Sequence, residues 1–382
     1  MNRRKILWLV SWYPNRFDKF DGDFIQRHAR AAAINNDIHV IFVKDAEINQ
    51  SVEEEWNYAT GLTEQIVFLK KTTALFKQFI WLSQCKQAIN KYIKKNGLPA
   101  MVHVHIPWKA GILALWLKRK YKIPFIVTEH WGIYNDVLKE NFSTKSILHK
   151  RIVKQVFRGA ELFTSVSEFL AKSIVRKVAD QHYKIIPNVV DTTIFNFSEK
   201  KYSKFTFIHV SNMVPLKNVP VILNAFKSLI ATTGTEAQLV MIGNKNNSYK
   251  DFVSEWGLLN KSIFFKGEIP YTEVAKEMQL SHCLILNSHI ENAPCVISEA
   301  LCCGLPVIST EVGGISEMVD DNNGFLVGAG NEESLSIAML KMINEHGHFN
   351  QVKIAENGLK KYSYSVIAKK FDELYKEILN DE

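Results

Sequence analysis

Ser288-His-Ile-Glu-Asn-Ala-Pro-Cys-Val-Ile-Ser-Glu299 runs directly into Ala300-Leu-Cys-Cys-Gly-Leu-Pro-Val-Ile-Ser309, and a Gly313-Gly314 pair follows. Pro294 suits the first turn of a helix, where its missing N–H leaves no bond unmade. That places Glu291 in the loop before a helix and Glu299 in the helix's second turn. The unpaired amides of the first turn make an anion site. A carboxylate on each side of it would hold hydroxyl groups. The combination suits a nucleoside-diphosphate sugar, and the spacing of the parts is more telling than any one of them.

Around this segment, short apolar runs alternate with helix-length stretches. The runs are Ile6–Val10, Ile38–Val43, Met101–Val104, Phe125–Thr128 and Leu162–Val166 in the first half. In the second half they are Thr206–His209, Gln238–Ile242, Ser262–Phe265, Cys283–Asn287, Pro306–Ser309 and Gly324–Val327. β-branched runs between helices predict parallel sheets covered on both faces, and two such series predict two doubly wound domains. A length of 382 residues and a hydrophobic fraction of 47% agree with two globular cores.

No apolar run is long enough to span a bilayer. The apolar stretch Ile6–Val10 is too short for a secretory h-region and reads as a buried first strand. The cysteines, Cys85, Cys283, Cys295, Cys302 and Cys303, are odd in number and lack disulfide or zinc spacing, so buried thiols of a cytosolic protein are expected. Residues 1–190 carry 30 Lys and Arg against 16 Asp and Glu, a balance of +14, whereas residues 191–382 balance at −6. A basic half points to an anionic partner: membrane lipid, a phosphate-bearing acceptor or nucleic acid. The basic stretches Thr72–Lys95 and Ser143–Arg158 suit a membrane surface, the first as an amphipathic helix. No nucleic-acid-binding motif is present, and no nucleic acid is expected.

With these pieces placed, the chain resembles a retaining glycosyltransferase of family 4. The resemblance is strongest over Ser288–Val327. It extends to Ser165-Val-Ser-Glu-Phe-Leu170, to Ile186-Pro-Asn-Val-Val-Asp-Thr-Thr-Ile-Phe195 and to Tyr362-Ser-Tyr364. It implies an α/β chain of GT-B architecture, two doubly wound Rossmann-like domains facing each other across a cleft. An acceptor domain over 1–188, a linker over 189–204 and a donor domain over 205–365 are expected, with helix 366–382 crossing back onto the first domain.

By the same resemblance, Glu299 would hold the donor ribose and Glu291 the transferred sugar. The amides around Asn292, Ala293, Pro294 and Cys295 would take the diphosphate, although Asn292 and Ala293 stand where the family has glycine. Lys217 matches the lysine of the phosphate clamp, and Asn212 occupies the place of its arginine. Gly267 and Glu268 would lie near the base. Gly22 and Asp23 would border the transfer point, in a loop where the Asp-x-Asp spelling is not a metal motif. His130, just past a strand, would meet the sugar or acceptor. His103 and His105 are not assigned, nor read as zinc ligands. No cofactor and no metal are expected.

The implied activity is sugar transfer from a nucleotide-diphosphate sugar to a glycan or lipid-linked acceptor of surface polysaccharide or glycolipid. The expected location is the cytoplasm, peripheral on the inner membrane face. A sugar-nucleotide epimerase of the same architecture and a basic nucleic-acid-binding protein are the competing readings.

Overall fold

The computed structural model describes residues 3–71, 77–243 and 247–380. It divides into two units, Met1–Val189 with Tyr364–Glu382, and Val190–Ser363.

The first unit is built on β1 (Lys5–Val10), β2 (Asp37–Ala46), β3 (Val52–Ala59), β4 (Leu62–Lys70), β5 (Met101–His105), β6 (Phe125–Glu129), β7 (Phe163–Ser165) and β8 (Tyr183–Ile185). The sheet order is β3-β4-β2-β1-β5-β6-β7-β8. All pairs are parallel except β3 with β4, a hairpin at the sheet edge. The apolar runs became the central strands because a strand covered by helices on both faces buries every side chain. β1 shows this, with Ile6 to Val10 all buried. β3 lacks an apolar run because it is an edge strand. Glu53, Glu54 and Glu55 lie along it, and such charge discourages pairing with another chain.

Helix Tyr364–Leu379 completes this unit. Its Ile367, Phe371, Leu374 and Tyr375 pack into the core that holds Ile6 and Trp8. Asp372 pairs with Arg4 at 2.8 Å, and the Tyr375 hydroxyl meets His103 Nδ1 at 2.8 Å.

The second unit holds β9 (Phe205–Ser211), β10 (Ala237–Gly243), β11 (Ile263–Gly267), β12 (Cys283–Leu286), β13 (Val307–Thr310) and β14 (Gly324–Val327), in the order β11-β10-β9-β12-β13-β14. All its pairs are parallel. The chain winds outward in opposite directions from β9 and β12. Their carboxyl ends therefore diverge at the topological switch point, where doubly wound sheets bind ligands.

Residues 190–204, expected as a linker, belong to this second unit. Val190 and Phe195 are buried in its core. Val190 N–H donates to the Tyr362 carbonyl at 2.9 Å, the Gln279 amide donates to the carbonyls of Ile194 and Asn196, and the Tyr202 hydroxyl donates to Glu277. A polar composition reads as solvated linker, but these polar groups are bonded within the unit.

Candidate active site

The site grows from the turn after β9. Within that strand His209 is fully buried, and burial lowers its pKa to about 4, so it is neutral at pH 7. Its Nδ1–H donates to the Ile285 carbonyl of β12 at 2.9 Å. Nε2 therefore accepts from the Ser211 hydroxyl at 2.7 Å, and Ser211 Oγ accepts from Met213 N–H at 3.0 Å. This relay holds Met213 at φ 54°, an uncommon conformation for a side-chain-bearing residue. A single 3-10 turn, Pro215–Lys217, then delivers Lys217.

From β12 the chain enters residues 287–294. Buried Ser288 donates its hydroxyl to Glu291 Oε1 at 2.7 Å, and its carbonyl accepts from Thr310 Oγ1 at 2.7 Å. The Glu291 carbonyl accepts from Gly314 N–H at 3.0 Å. Gly313, at φ +60°, passes so close that a Cβ there would lie 1.8 Å from the Glu291 carbonyl oxygen. Only glycine fits this crossing.

Lys217 Nζ and Glu291 Oε1 form an ion pair, and His289 N–H donates to the Leu216 carbonyl at 2.9 Å beside it. Two expected site residues, 74 positions apart, are thus locked together from the ends of adjacent strands. Their side chains are 22% and 13% exposed, so the pair is open to a ligand on one side. Helix Cys295–Cys302 follows, with Pro294 at its N-cap, one residue before the first turn in which Pro294 was expected. Its first amides carry the positive end of the helix dipole. Glu299 lies in the second turn and is 4% exposed.

The other expected residues are more dispersed. Asn212 is exposed, one residue past β9. Gly267 ends β11, with Glu268 exposed after it, on the far side of β10 from β9.

Gly22, Asp23 and His130 belong to the first unit. Gly22 caps helix Asp23–Ala32 at φ 68°, and a Cβ there would lie 2.8 Å from the Trp12 backbone. Asp23 pairs with Arg27 at 3.0 Å and Asp21 with Lys44 at 2.8 Å, so each carboxylate of the Asp-x-Asp has its own cation.

His130 follows β6, placed by the fully buried Glu129. That carboxylate accepts from the N–H groups of His130 at 2.9 Å and Trp131 at 2.8 Å, and from the Tyr134 hydroxyl at 2.7 Å. Burial raises the Glu129 pKa to about 7 against these bonds. His130 packs with His28 and His105, and burial keeps all three imidazoles neutral, His28 with a pKa of about 4 and the others well below the ordinary value. Ser288, Gly313, Glu129 and His28 were not assigned from the sequence. Ser288 carried a signal, a small polar residue closing an apolar strand run, and so did Gly313, as half of a Gly-Gly pair.

Two doubly wound α/β units, the first closed by a returning helix, place this protein among the glycosyltransferases of GT-B type. It superposes on sucrose-phosphate synthase from Thermosynechococcus elongatus with a TM-score of 0.78 at 16% identity, covering 99% of this chain and 100% of that one. It superposes on HepE of Anabaena, solved in complex with UDP, with a TM-score of 0.72 at 16% identity, covering 98% and 100%. In sequence it is 21% identical over 392 residues to TuaC of Bacillus subtilis strain 168, a putative teichuronic acid biosynthesis glycosyltransferase, covering 96% of this chain and 95% of that protein. The family model described as Glycosyltransferase Family 4 matches residues 23–194, and that described as Glycosyl transferases group 1 matches residues 190–361. The chain belongs to the family 4 glycosyltransferases.

Proposed function

We propose that the protein transfers a hexosyl group, with retention, from a nucleoside-diphosphate sugar to a glycan or lipid-linked acceptor of surface polysaccharide or glycolipid. The observation that carries this reading is the Lys217–Glu291 pair at the ends of β9 and β12, just ahead of helix Cys295–Cys302. The helix amides and Lys217 offer positive charge to a departing diphosphate, so the diphosphate needs no metal. Glu291 accepts from sugar hydroxyls and Glu299 from the ribose. Asn292, Ala293, Pro294 and Cys295 supply the turn against the phosphates, Asn212 would add a polar contact there, and Gly267 and Glu268 would border the base. In the first unit Gly22, Asp23 and His130 would serve the sugar or acceptor. The departing phosphate takes the acceptor's proton, which accounts for transfer without an enzymic nucleophile. HepE, solved in complex with UDP-glucose, supports a nucleotide-sugar donor. TuaC supports a polysaccharide acceptor.

No helix among the described residues is long and apolar enough to cross a membrane. Helix Lys77–Asn96 exposes Phe79 by 71%, and helix Ile147–Gly159 exposes Ile147 and Leu148 by 69% and 66%, among basic residues. This supports peripheral attachment of the first unit to an anionic membrane on the cytoplasmic side. Residues 72–76 of the first basic stretch lie outside the described residues.

A thermal-shift panel of nucleotide sugars tests the donor. A true donor at ~100 times its Kd stabilises by about 2.7 kcal/mol. No shift with any nucleoside-diphosphate sugar, or inversion at the anomeric carbon of the product, defeats the reading.

A further inference from the structure

Among the described residues, one group of three metal-ligating side chains converges: His28, His105 and His130, with one ligand atom of each within 4.8 Å of the others. All three lie in the first unit, His28 on helix Asp23–Ala32, His105 at the end of β5 and His130 just past β6. We propose that they form a binding site for a zinc-class divalent cation.

The ring hydrogen bonds favour this. His28 Nε2–H donates to the Pro187 carbonyl at 2.9 Å, which fixes the ring and leaves the lone pair on Nδ1. A backbone carbonyl holding the second nitrogen is the usual outer support of a metal-ligating histidine. His28 Nδ1 is buried without a hydrogen-bond partner, an arrangement costly to keep unless something else satisfies it. His105 Nδ1 and His130 Nε2 stand 3.2 Å apart. Two nitrogens about 2.0–2.1 Å from one tetrahedral ion are about 3.3 Å apart. His103, whose ring lies 4.3 Å from that of His105, is excluded, because Tyr375 and Thr128 occupy both its nitrogens.

An all-imidazole set selects zinc, copper, nickel or cobalt over magnesium and calcium, which prefer oxygen. Three protein ligands leave a fourth position for water or a substrate atom. His28 and His105 are buried while His130 is partly exposed, which gives the ion a way in. On the transfer reading His130 also meets the sugar, but metal binding is measurable without reference to transfer.

The test titrates chelator-treated full-length protein with Zn²⁺ by calorimetry and with Co²⁺ by visible absorbance, with Mg²⁺ as control. The expected result is one Zn²⁺ or Co²⁺ per chain, tetrahedral Co²⁺ bands and no Mg²⁺ uptake. His28→Asn, His105→Asn and His130→Asn should each weaken binding more than about tenfold, while His348→Asn leaves it unchanged. X-ray absorption of the zinc-loaded wild type, which does not depend on variants folding, should show imidazole scattering. Absence of stoichiometric binding, unchanged affinity in a folded His28→Asn protein, or sulfur ligation by cysteine would each overturn the proposal.

Discussion

Lys217 and Glu291 are held as a pair by more than their charges: the backbone of Leu216 is bonded to that of His289, and Ser288 shares the Glu291 carboxylate. Each residue of the pair sets where the other points. Lys217→Ala should therefore lower turnover by roughly 10²–10³-fold, the cost of losing one donor to developing charge. In a Glu291→Gln background the further loss should be smaller, because residues in contact are not additive. Single-turnover rates of the two variants and their combination decide this, and strictly multiplicative losses would show that the two act separately.

Asn212→Arg should restore part of the activity of Lys217→Ala, since a guanidinium fork matches phosphate oxygens. The residue is exposed one position past β9, so the larger side chain meets no core. Near-normal turnover in Lys217→Ala alone would move the phosphate clamp elsewhere.

Glu299→Ala should weaken binding of the free nucleotide diphosphate by about 2–4 kcal/mol, two hydroxyl bonds to a charged acceptor less what water recovers. Calorimetric titration reads this directly. An unchanged Kd would remove Glu299 from the ribose.

Gly313→Ala should lower both stability and turnover. Its left-handed φ costs a side-chain-bearing residue about 1–3 kcal/mol, and the added Cβ pushes on the Glu291 carbonyl. Urea unfolding measures the first effect and steady-state kinetics the second. A fully active variant of normal stability would show that the Glu291 loop yields freely.

Stability should fall as pH drops from about 6.5 towards 4. His209 and His39 are pushed by burial to about 4 from an ordinary 6.5. Below 6.5 the unfolded chain binds protons that the native chain refuses, which costs roughly 1.4 kcal/mol per pH unit for each histidine. In His209→Asn the dependence should flatten by about one histidine's share. Denaturant midpoints at pH 7, 6, 5 and 4.5 check this, and identical slopes in the variant and parent would refute it.

The central strands were legible because burial on both faces writes itself as an apolar run, and Glu291 and Glu299 because helix punctuation surrounds them. The charged edge strand β3 was hidden because its composition follows solvent. β4 was hidden because it buries Glu64 and Gln65, with Glu64 bonded to the Tyr13 hydroxyl at 2.6 Å. The pairing of Lys217 with Glu291 depends on the order of strands in space, which spacing along the chain does not encode. His28 carried no signal, being one histidine in a helix whose partners arrive from β5 and β6.

The return of helix Tyr364–Leu379 to the first unit also sets an order of events during synthesis. Phe371 and Tyr375 share a core with Trp8, so that core stays open until residues 364–379 have been made. The second unit has all its strands by Val327 and its last helices by Tyr362, and the bridge between Val190 and Ser363 joins its ends just before the returning helix begins. On the ribosome the later unit can therefore close first, while the earlier one waits with apolar surface uncovered, the reverse of the usual amino-to-carboxyl order.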